Sequence, residues 1–149
     1  MKRHLLIVEP DPAVRAFLSQ AARRASRVDA VAEFHEARGR VMGARFEVVA
    51  TNVRLEAFNG LHLPYLLAGA GRGTRVLAYG EAADMALVPD VREAGAFWAL
   101  RETVALVLPR FVRARRPPCD RRRPQPRGRR WAFRGGRRAS DLSELSSCA

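Results

Sequence analysis

The side chains that most often carry chemistry in proteins are few and scattered in this chain. Its three histidines, His4, His35 and His62, lack the i, i+4 spacing of a helical metal site, and no serine, histidine and acid set indicates a hydrolase. Its two cysteines, Cys119 and Cys148, lack the clustered spacing of a zinc site or a disulfide framework. We therefore predict a protein that is not an enzyme and binds no metal through these residues.

Polar side chains do follow two of the apolar runs. Residues 4–8 read as a buried strand that ends at Glu9, and Asp11 stands before a proline, as the N-cap of a helix does. A later apolar run, residues 46–51, is followed by Asn52. In open parallel α/β sheets, functional groups gather beyond the carboxyl ends of the strands. These three polar residues are therefore candidate site residues.

The elements that would position them alternate along the chain. Apolar runs predict buried strands, and apolar residues at three- and four-residue intervals predict helices, of which Pro89 and Pro109 should bend or disturb two. The predicted strands are 4–8, 28–32, 46–51, 74–79 and 97–100, the predicted helices are 12–26, 33–42, 61–68, 82–94 and 102–112, and 52–60 is predicted to be a loop. This alternation predicts an α/β fold with a doubly wound, five-stranded parallel sheet.

Four segments resemble the successive signature segments of the response-regulator receiver domain. They are residues 4–18, 46–61, 75–80 and 93–96, in the expected order and spacing. The resemblance covers residues 4–112 and implies the flavodoxin-like receiver fold. It also implies a place in bacterial two-component, or phosphorelay, signal transduction.

The resemblance assigns phosphoryl chemistry to certain positions, and this sequence departs from the pattern at most of them. In receivers an acidic pair after the first strand holds a divalent metal, and an aspartate after the third strand accepts the phosphoryl group. A Ser or Thr and a Lys bind the phosphoryl oxygens. The corresponding residues here are Glu9 with Pro10, Asn52, Gly80, and either Arg101 or Glu102.

These departures predict a degenerate phosphoacceptor pocket. The neutral amide of Asn52 lacks the nucleophilic oxygen of an ionised carboxylate, so the pocket should be chemically inactive and Mg²⁺ binding weak or absent. Asn52 is then either a loop residue that bonds its own turn or part of a vestigial polar pocket. A residual phosphotransfer protein that uses Glu9 or Asp11 instead is the disfavoured third hypothesis. The predicted pocket residues are Glu9, Pro10, Asp11, Asn52, Gly80 and Arg101.

Two aromatic residues mark a candidate partner face. Phe97 and Trp98 fall on the fifth predicted strand, where receivers carry an aromatic residue that changes rotamer on activation. One ring should belong to the core and the other should be half exposed. The resemblance implies a protein partner in a signalling pathway, either a histidine kinase or another regulator. A homodimer through the same face is a further candidate assembly.

Charge divides the chain into two parts, predicted to be a receiver-like domain, 1–112, and a disordered tail, 113–149. Residues 1–109 carry 14 basic and 12 acidic side chains, whereas residues 110–149 carry 13 arginines and three acids, so the net charges of +2 and +10 give the total of +12. The tail has few aliphatic residues to offset the entropy of ordering it.

The tail mixes guanidinium groups with aromatic rings. Such a segment could bind nucleic acid, the alternative function, or an acidic membrane surface or protein, or it could be a neutral solvated extension. No run approaches the ~18 apolar residues of a membrane span, and the start does not resemble a signal peptide, so we predict a cytoplasmic protein. The candidate anion-binding residues are Arg121, Arg122, Arg123, Arg129, Arg130, Trp131 and Phe133.

Overall fold

The computed structural model describes residues 2–71 and 73–115. The predictions made for the tail beyond residue 115 therefore lie outside the described residues. In the part of the chain that is described, no helix has the length and apolar character needed to cross a bilayer.

Strands and helices alternate through the described domain. The strands are β1 (Arg3–Val8), β2 (Ser26–Val31), β3 (Val48–Asn52), β4 (Arg54–Leu55), β5 (Phe58–Asn59), β6 (Arg75–Gly80) and β7 (Phe97–Leu100). The helices are α1 (Pro12–Ala22), α2 (Phe34–Gly43), α3 (His62–Gly69), α4 (Val88–Glu93) and α5 (Val104–Arg113), with a 3-10 helix at Ala82–Leu87.

Five of the strands form one parallel sheet in the order β2-β1-β3-β6-β7. This order reverses between β1 and β3, which makes the carboxyl ends of those two strands the switch point of a doubly wound fold. The predicted fold class, a flavodoxin-like five-stranded parallel sheet with helices on both faces, is confirmed. Strand β3 is buried along its whole length, as a strand covered on both faces should be.

Successive side chains of each strand enter two different cores. One core lies against α1 and α5 and includes Ile7, Ala50 and Tyr79. The other lies against α2, α3 and α4 and includes Val8, Val49 and Ala78. Since side chains alternate along a strand, Glu9 and Asn52 continue the rows that face α1 and α5. Both polar residues are therefore directed to the same corner of the domain.

Several predicted boundaries were wrong. Helix α1 ends at Ala22 rather than near Ser26, because the hydroxyl of Ser26 donates to the Ala22 carbonyl (3.0 Å) and Ser26 already begins β2. The predicted loop 52–60 contains the antiparallel pair β4–β5, which turns through Glu56 at a φ of 48°.

The two helical prolines have different outcomes. The predicted helix 82–94 is a 3-10 helix followed by α4, with Pro89 in the first turn of α4, where its missing N–H is tolerated. This interruption was predicted. Helix α5, in contrast, continues through Pro109 without a break, so the disturbance expected there was wrong.

Candidate functional site

The carboxylate of Glu9 and the amide of Asn52 meet at the ends of β1 and β3. The Asn52 Nδ2 atom donates to both carboxylate oxygens of Glu9, at 3.3 Å to Oε1 and 3.1 Å to Oε2. The Asn52 Oδ1 atom accepts from the backbone N–H of Arg54 at 2.9 Å. The amide oxygen of Asn52 thus bonds its own turn, and its nitrogen contacts Glu9 in a polar pocket. The side chain makes both of the contacts that the sequence raised as alternatives.

Tyr79 completes the environment of Glu9. Its ring is fully buried, and its hydroxyl donates to Glu9 Oε2 at 2.9 Å. The backbone N–H of Asp11 donates to Glu9 Oε1 at 3.1 Å. A side chain that is only 1% exposed thereby receives hydrogen bonds from an amide, a phenol and a backbone N–H. Burying a carboxylate is unfavourable unless its oxygens have partners, and these donors supply them.

The proximity of Glu9 perturbs the phenol. Burial, and after it the negative charge and hydrogen bonding of Glu9, raise the pKa of Tyr79 well above its ordinary value. The hydroxyl therefore stays protonated and remains a donor over the whole physiological pH range. Tyr79 was not among the residues that the sequence singled out, although a tyrosine near the end of an apolar strand signals a hydroxyl that needs a buried partner.

Asp11 serves both as a helix cap and as a partner of Arg101. Its Oδ1 accepts from the backbone N–H groups of Ala13 (2.9 Å) and Val14 (3.2 Å), as its position before Pro12 predicts. These bonds, first from Val14 and then from Ala13, are the main reason that the pKa of Asp11 is lowered. Its Oδ2 is 3.1 Å from Arg101 Nη2.

Arg101, rather than Glu102, lies in this pocket. The cavity at the strand ends has a volume of about 290 Å³ and is lined by Glu9, Pro10, Asp11, Asn52, Arg54, Glu81, Asp84 and Arg101. The second guanidinium nitrogen of Arg101 is 3.3 Å from Glu81. The side chain therefore bridges two carboxylates at the mouth of the cavity.

A second ion pair closes the other side of the cavity. Arg54 Nε donates to Asp84 Oδ1 at 2.8 Å, while Asp84 Oδ2 accepts from the backbone N–H of Glu81 at 2.9 Å. The hydrogen bond from Arg54 is the first cause of the lowered pKa of Asp84. Neither Arg54 nor Asp84 was predicted to be a site residue, and a single arginine in a loop gave no signal of this pairing.

Gly80 provides the space that Asp84 and Trp98 occupy. A Cβ atom at Gly80 would lie 2.7 Å from Asp84 Oδ2, 2.7 Å from Val53 Cγ2 and 2.9 Å from the Trp98 ring. A hydroxyl side chain at this position therefore does not fit the present arrangement. The Trp98 ring can take its inward position only because Gly80 has no side chain.

The two aromatic residues of β7 point to opposite faces of the sheet. Trp98 packs against the core formed with α2, α3 and α4, and its Nε1 is buried with no hydrogen-bond partner among the described residues. Phe97 is 42% exposed and contacts Phe111 edge-on, with 5.1 Å between the ring centroids. Phe97 thus lies on the surface beside α5, whereas Trp98 reaches back toward Gly80.

The donor set does not fit a divalent metal ion. Within residues 2–71 and 73–115 no three His, Cys, Asp or Glu residues are grouped so that they could hold one. The Glu9 oxygens already accept three donors, and the Asn52 Oδ1 is engaged by a backbone N–H. Asp11 is occupied by the start of α1 and by Arg101, so no set of free oxygens converges on one point.

Comparison with known proteins yields structural relatives only. No protein-family model matches the chain, and no curated protein sequence matches it. Solved structures that superpose on it contain receiver domains, either of response regulators or of a histidine kinase. The chemotaxis response regulator CheY4 of Vibrio cholerae does so with a TM-score of 0.65 and 19% identity, over 75% of this chain and 99% of that one.

Two further structures extend the comparison to other sources. The receiver domain of the Francisella response regulator 1452 has a TM-score of 0.68 at 12% identity, over 74% of this chain and 93% of that one. The receiver domain of a signal transduction histidine kinase from Syntrophus aciditrophicus has a TM-score of 0.65 at 22% identity, over 74% and 86%. The chain therefore has the receiver fold, as predicted from its sequence segments.

Proposed function

We propose that this chain is a degenerate receiver module of a two-component signalling system, which acts by protein contact and is not phosphorylated. The observation that carries the proposal is the buried set formed by Glu9, Asn52 and Tyr79 at the switch point of the sheet. An amide stands at the phosphoacceptor position of the fold, and it is used as a donor to the one buried carboxylate beside it.

Phosphoryl transfer depends on positioning a nucleophile and on neutralising the charge that spreads over the phosphoryl oxygens. The amide oxygen of Asn52 is a poor nucleophile, and it already accepts a hydrogen bond from Arg54. The carboxylate oxygens of Glu9 are held by donors and are only 1% exposed. Neither group offers a free, ionised oxygen to an incoming phosphorus atom, so the pocket is not a catalytic site.

Arginine side chains take over the role of positive charge in the cavity. Arg101 bridges Asp11 and Glu81, and Arg54 pairs with Asp84. In a phosphorylatable receiver the pocket must accept a metal ion and a phosphoryl group, whereas here the carboxylates are already paired within the chain. This internal pairing favours one resting conformation, which only a partner with different affinities for two states could change.

The surface beside α5 is the proposed contact face. Phe97 is 42% exposed there and packs edge-on against Phe111 of α5. An exposed aromatic ring is suited to contact with a protein partner. A histidine kinase, another regulator or a second copy of this chain is the proposed partner, whereas Trp98 belongs to the packing behind that face.

The proposal can be tested with Trp98 as an internal reporter. The chain has two tryptophans, so the variant Trp131→Phe leaves Trp98 as the only one. We expect its fluorescence to stay unchanged when Mg²⁺ is added to millimolar concentration, with or without acetyl phosphate. A matched variant that also carries Asn52→Asp has a second carboxylate in the pocket. A response of its Trp98 fluorescence to Mg²⁺ shows that the reporter senses changes there. A saturable change in the Trp131→Phe protein on addition of Mg²⁺ would refute the proposal.

A further inference from the structure

The end of the domain opposite the candidate site carries a cluster of basic side chains. Helices and strands of this fold alternate in direction, so the starts of the parallel strands and the ends of the helices lie at one edge of the sheet. The basic end, as we name it, comprises Lys2, Arg23, Arg24, Arg27, Arg113 and Arg115, all exposed.

Backbone contacts bring these residues together from three parts of the chain. Lys2 Nζ donates to the carbonyl of Arg23 at the end of α1 (3.3 Å). Residue Arg3 pairs in register with Ser26, which places Arg27 beside the start of β1. The guanidinium of Arg3 also donates to the carbonyls of Val112 and Ala114, so the end of α5 lies at the same place.

The positive charge of the basic end is not neutralised within the described residues. None of its six side chains forms an ion pair with a carboxylate in residues 2–71 and 73–115. The nearest acids in the strands are engaged elsewhere, since Asp29 contacts His4 (3.1 Å) and Arg40 (3.7 Å). The carboxylate of Glu47 accepts the backbone N–H of His4 (2.6 Å).

Eight of the twelve acidic residues of the described domain lie toward the other end, whereas Glu47 precedes β3 and Glu93 ends α4, on the same edge as the basic end. Around the candidate site and its neighbouring loops lie Glu9, Asp11, Glu33, Glu36, Glu56, Glu81, Asp84 and Glu102. Four of these carboxylates are paired with arginines, those of Asp11 and Glu81 with Arg101, Asp84 with Arg54 and Glu36 with Arg40, whereas the basic end carries unpaired positive charge that attracts a polyanion.

The composition of the basic end indicates the kind of polyanion. The large exposed apolar side chains of the described domain are Phe17, Met42, Tyr65, Met85, Phe97 and Leu106, and none belongs to the three segments that form the basic end. These segments offer no large exposed apolar side chain to insert into a membrane surface and no exposed aromatic ring on which the bases of single-stranded nucleic acid could stack. Guanidinium groups alone suit the phosphates of a duplex.

We infer that the basic end binds the phosphodiester backbone of duplex nucleic acid, without reading its sequence. This interaction belongs to the folded domain and is distinct from any made by the arginines beyond residue 115. The binding constant K falls as salt is added, and the slope of log K against log salt concentration grows in magnitude by about 0.9 for each phosphate that is neutralised. The inference does not depend on the proposed signalling role.

The test uses the full chain and a fluorescently labelled DNA duplex, with binding measured by anisotropy between about 50 and 200 mM salt. The triple variant Arg23→Gln, Arg24→Gln, Arg27→Gln should reduce the magnitude of this slope by about 2 to 3. It should also weaken binding at least tenfold. The variant Arg121→Gln, Arg122→Gln, Arg123→Gln has the same net charge and serves as the comparison for the tail. Arg38→Gln, an exposed change on α2, should leave the slope within about 0.5 of the unaltered chain.

The two triple variants distinguish binding by the basic end from binding by the tail. A slope that falls with the first variant, and is retained when the same three positions are changed to Lys, supports binding by the basic end. If only the variant at residues 121–123 weakens binding, the tail is the binder and the inference is wrong. Failure of the unaltered chain to bind the duplex, or binding to anionic lipid vesicles alone, would also overturn it. Thermal unfolding of each variant confirms that it is folded.

Discussion

Replacing Asn52 by Asp should convert a stabilising contact into a repulsive one. In the present structure the amide donates to Glu9 at 3.1 and 3.3 Å, and the two side chains are 7% and 1% exposed. The variant Asn52→Asp places a second carboxylate at this distance without a cation between the two. Two unit charges about 4 Å apart repel by about 4 kcal/mol at an effective dielectric constant near 20.

Proton uptake limits this destabilisation in a pH-dependent way. The folded variant can hold a proton between the two carboxylates, which the unfolded chain has released above about pH 4. Keeping that proton costs about 1.4 kcal/mol for each pH unit above that value. Because the folded state then binds more protons than the unfolded state, the stability of the variant falls as the pH rises.

The expected loss of unfolding free energy, relative to the unaltered chain, is therefore about 1.5 kcal/mol at pH 5.0 and about 4 kcal/mol at pH 7.5. Urea unfolding of both proteins at the two pH values measures it. The variant Asn52→Gln keeps an amide that is one methylene longer and adds no second charge, so its loss of unfolding free energy should be the same at both pH values. An Asn52→Asp deficit that does not change with pH would refute the assignment of the amide as a donor to Glu9.

Three further substitutions test the surroundings of the pocket. Tyr79→Phe removes a hydrogen bond to Glu9 and should lower the unfolding free energy by about 1.5 to 3 kcal/mol. Because the pKa of Tyr79 is raised in the folded state, the unaltered chain should lose stability above about pH 10, and the variant should lack this loss. Gly80→Ala places a Cβ atom 2.7 Å from Asp84 Oδ2 and should destabilise by about 1 to 3 kcal/mol in thermal unfolding, whereas an unchanged melting temperature would contradict the packing described. Asp84→Asn should lower the free energy of unfolding by only about 1 kcal/mol at pH 7, because Arg54 is largely exposed and solvent screens the pair. Since the pKa of Asp84 is lowered in the folded state, this difference should disappear as the pH falls below the ordinary pKa of an aspartate. A difference that persists at pH 2.5 would exclude the ion pair as its source.

Strands β1, β3 and β6 could be predicted from the sequence because each is an apolar run that is largely buried on both sides. The predicted strand 4–8 begins one residue after the observed β1, and the predicted strand 97–100 has the observed bounds of β7. The end of α1 could not be placed, because Ala25 continues the helical spacing although the chain has already turned. The hydroxyl of Ser26 and its pairing in β2, which depend on tertiary structure, decide that boundary.

The site was predictable where a position alone determines a role, and not where partners come from distant segments. Asp11 before a proline predicts a helix cap, and the structure has one. The contact of Tyr79 with Glu9 spans 70 residues of chain and crosses β3, and the pairing of Arg54 with Asp84 spans 30 residues. Neither pair has a sequence spacing that marks it, because both depend on the order of strands in the sheet.

Intact-mass spectrometry of the chain after incubation with acetyl phosphate and Mg²⁺ measures whether the pocket accepts a phosphoryl group. We expect an unchanged mass, because Asn52 cannot serve as the nucleophile and the oxygens of Glu9 and Asp11 are engaged by donors. A stoichiometric increase of about 80 Da, the mass of one phosphoryl group, located on Glu9 or Asp11, would contradict it.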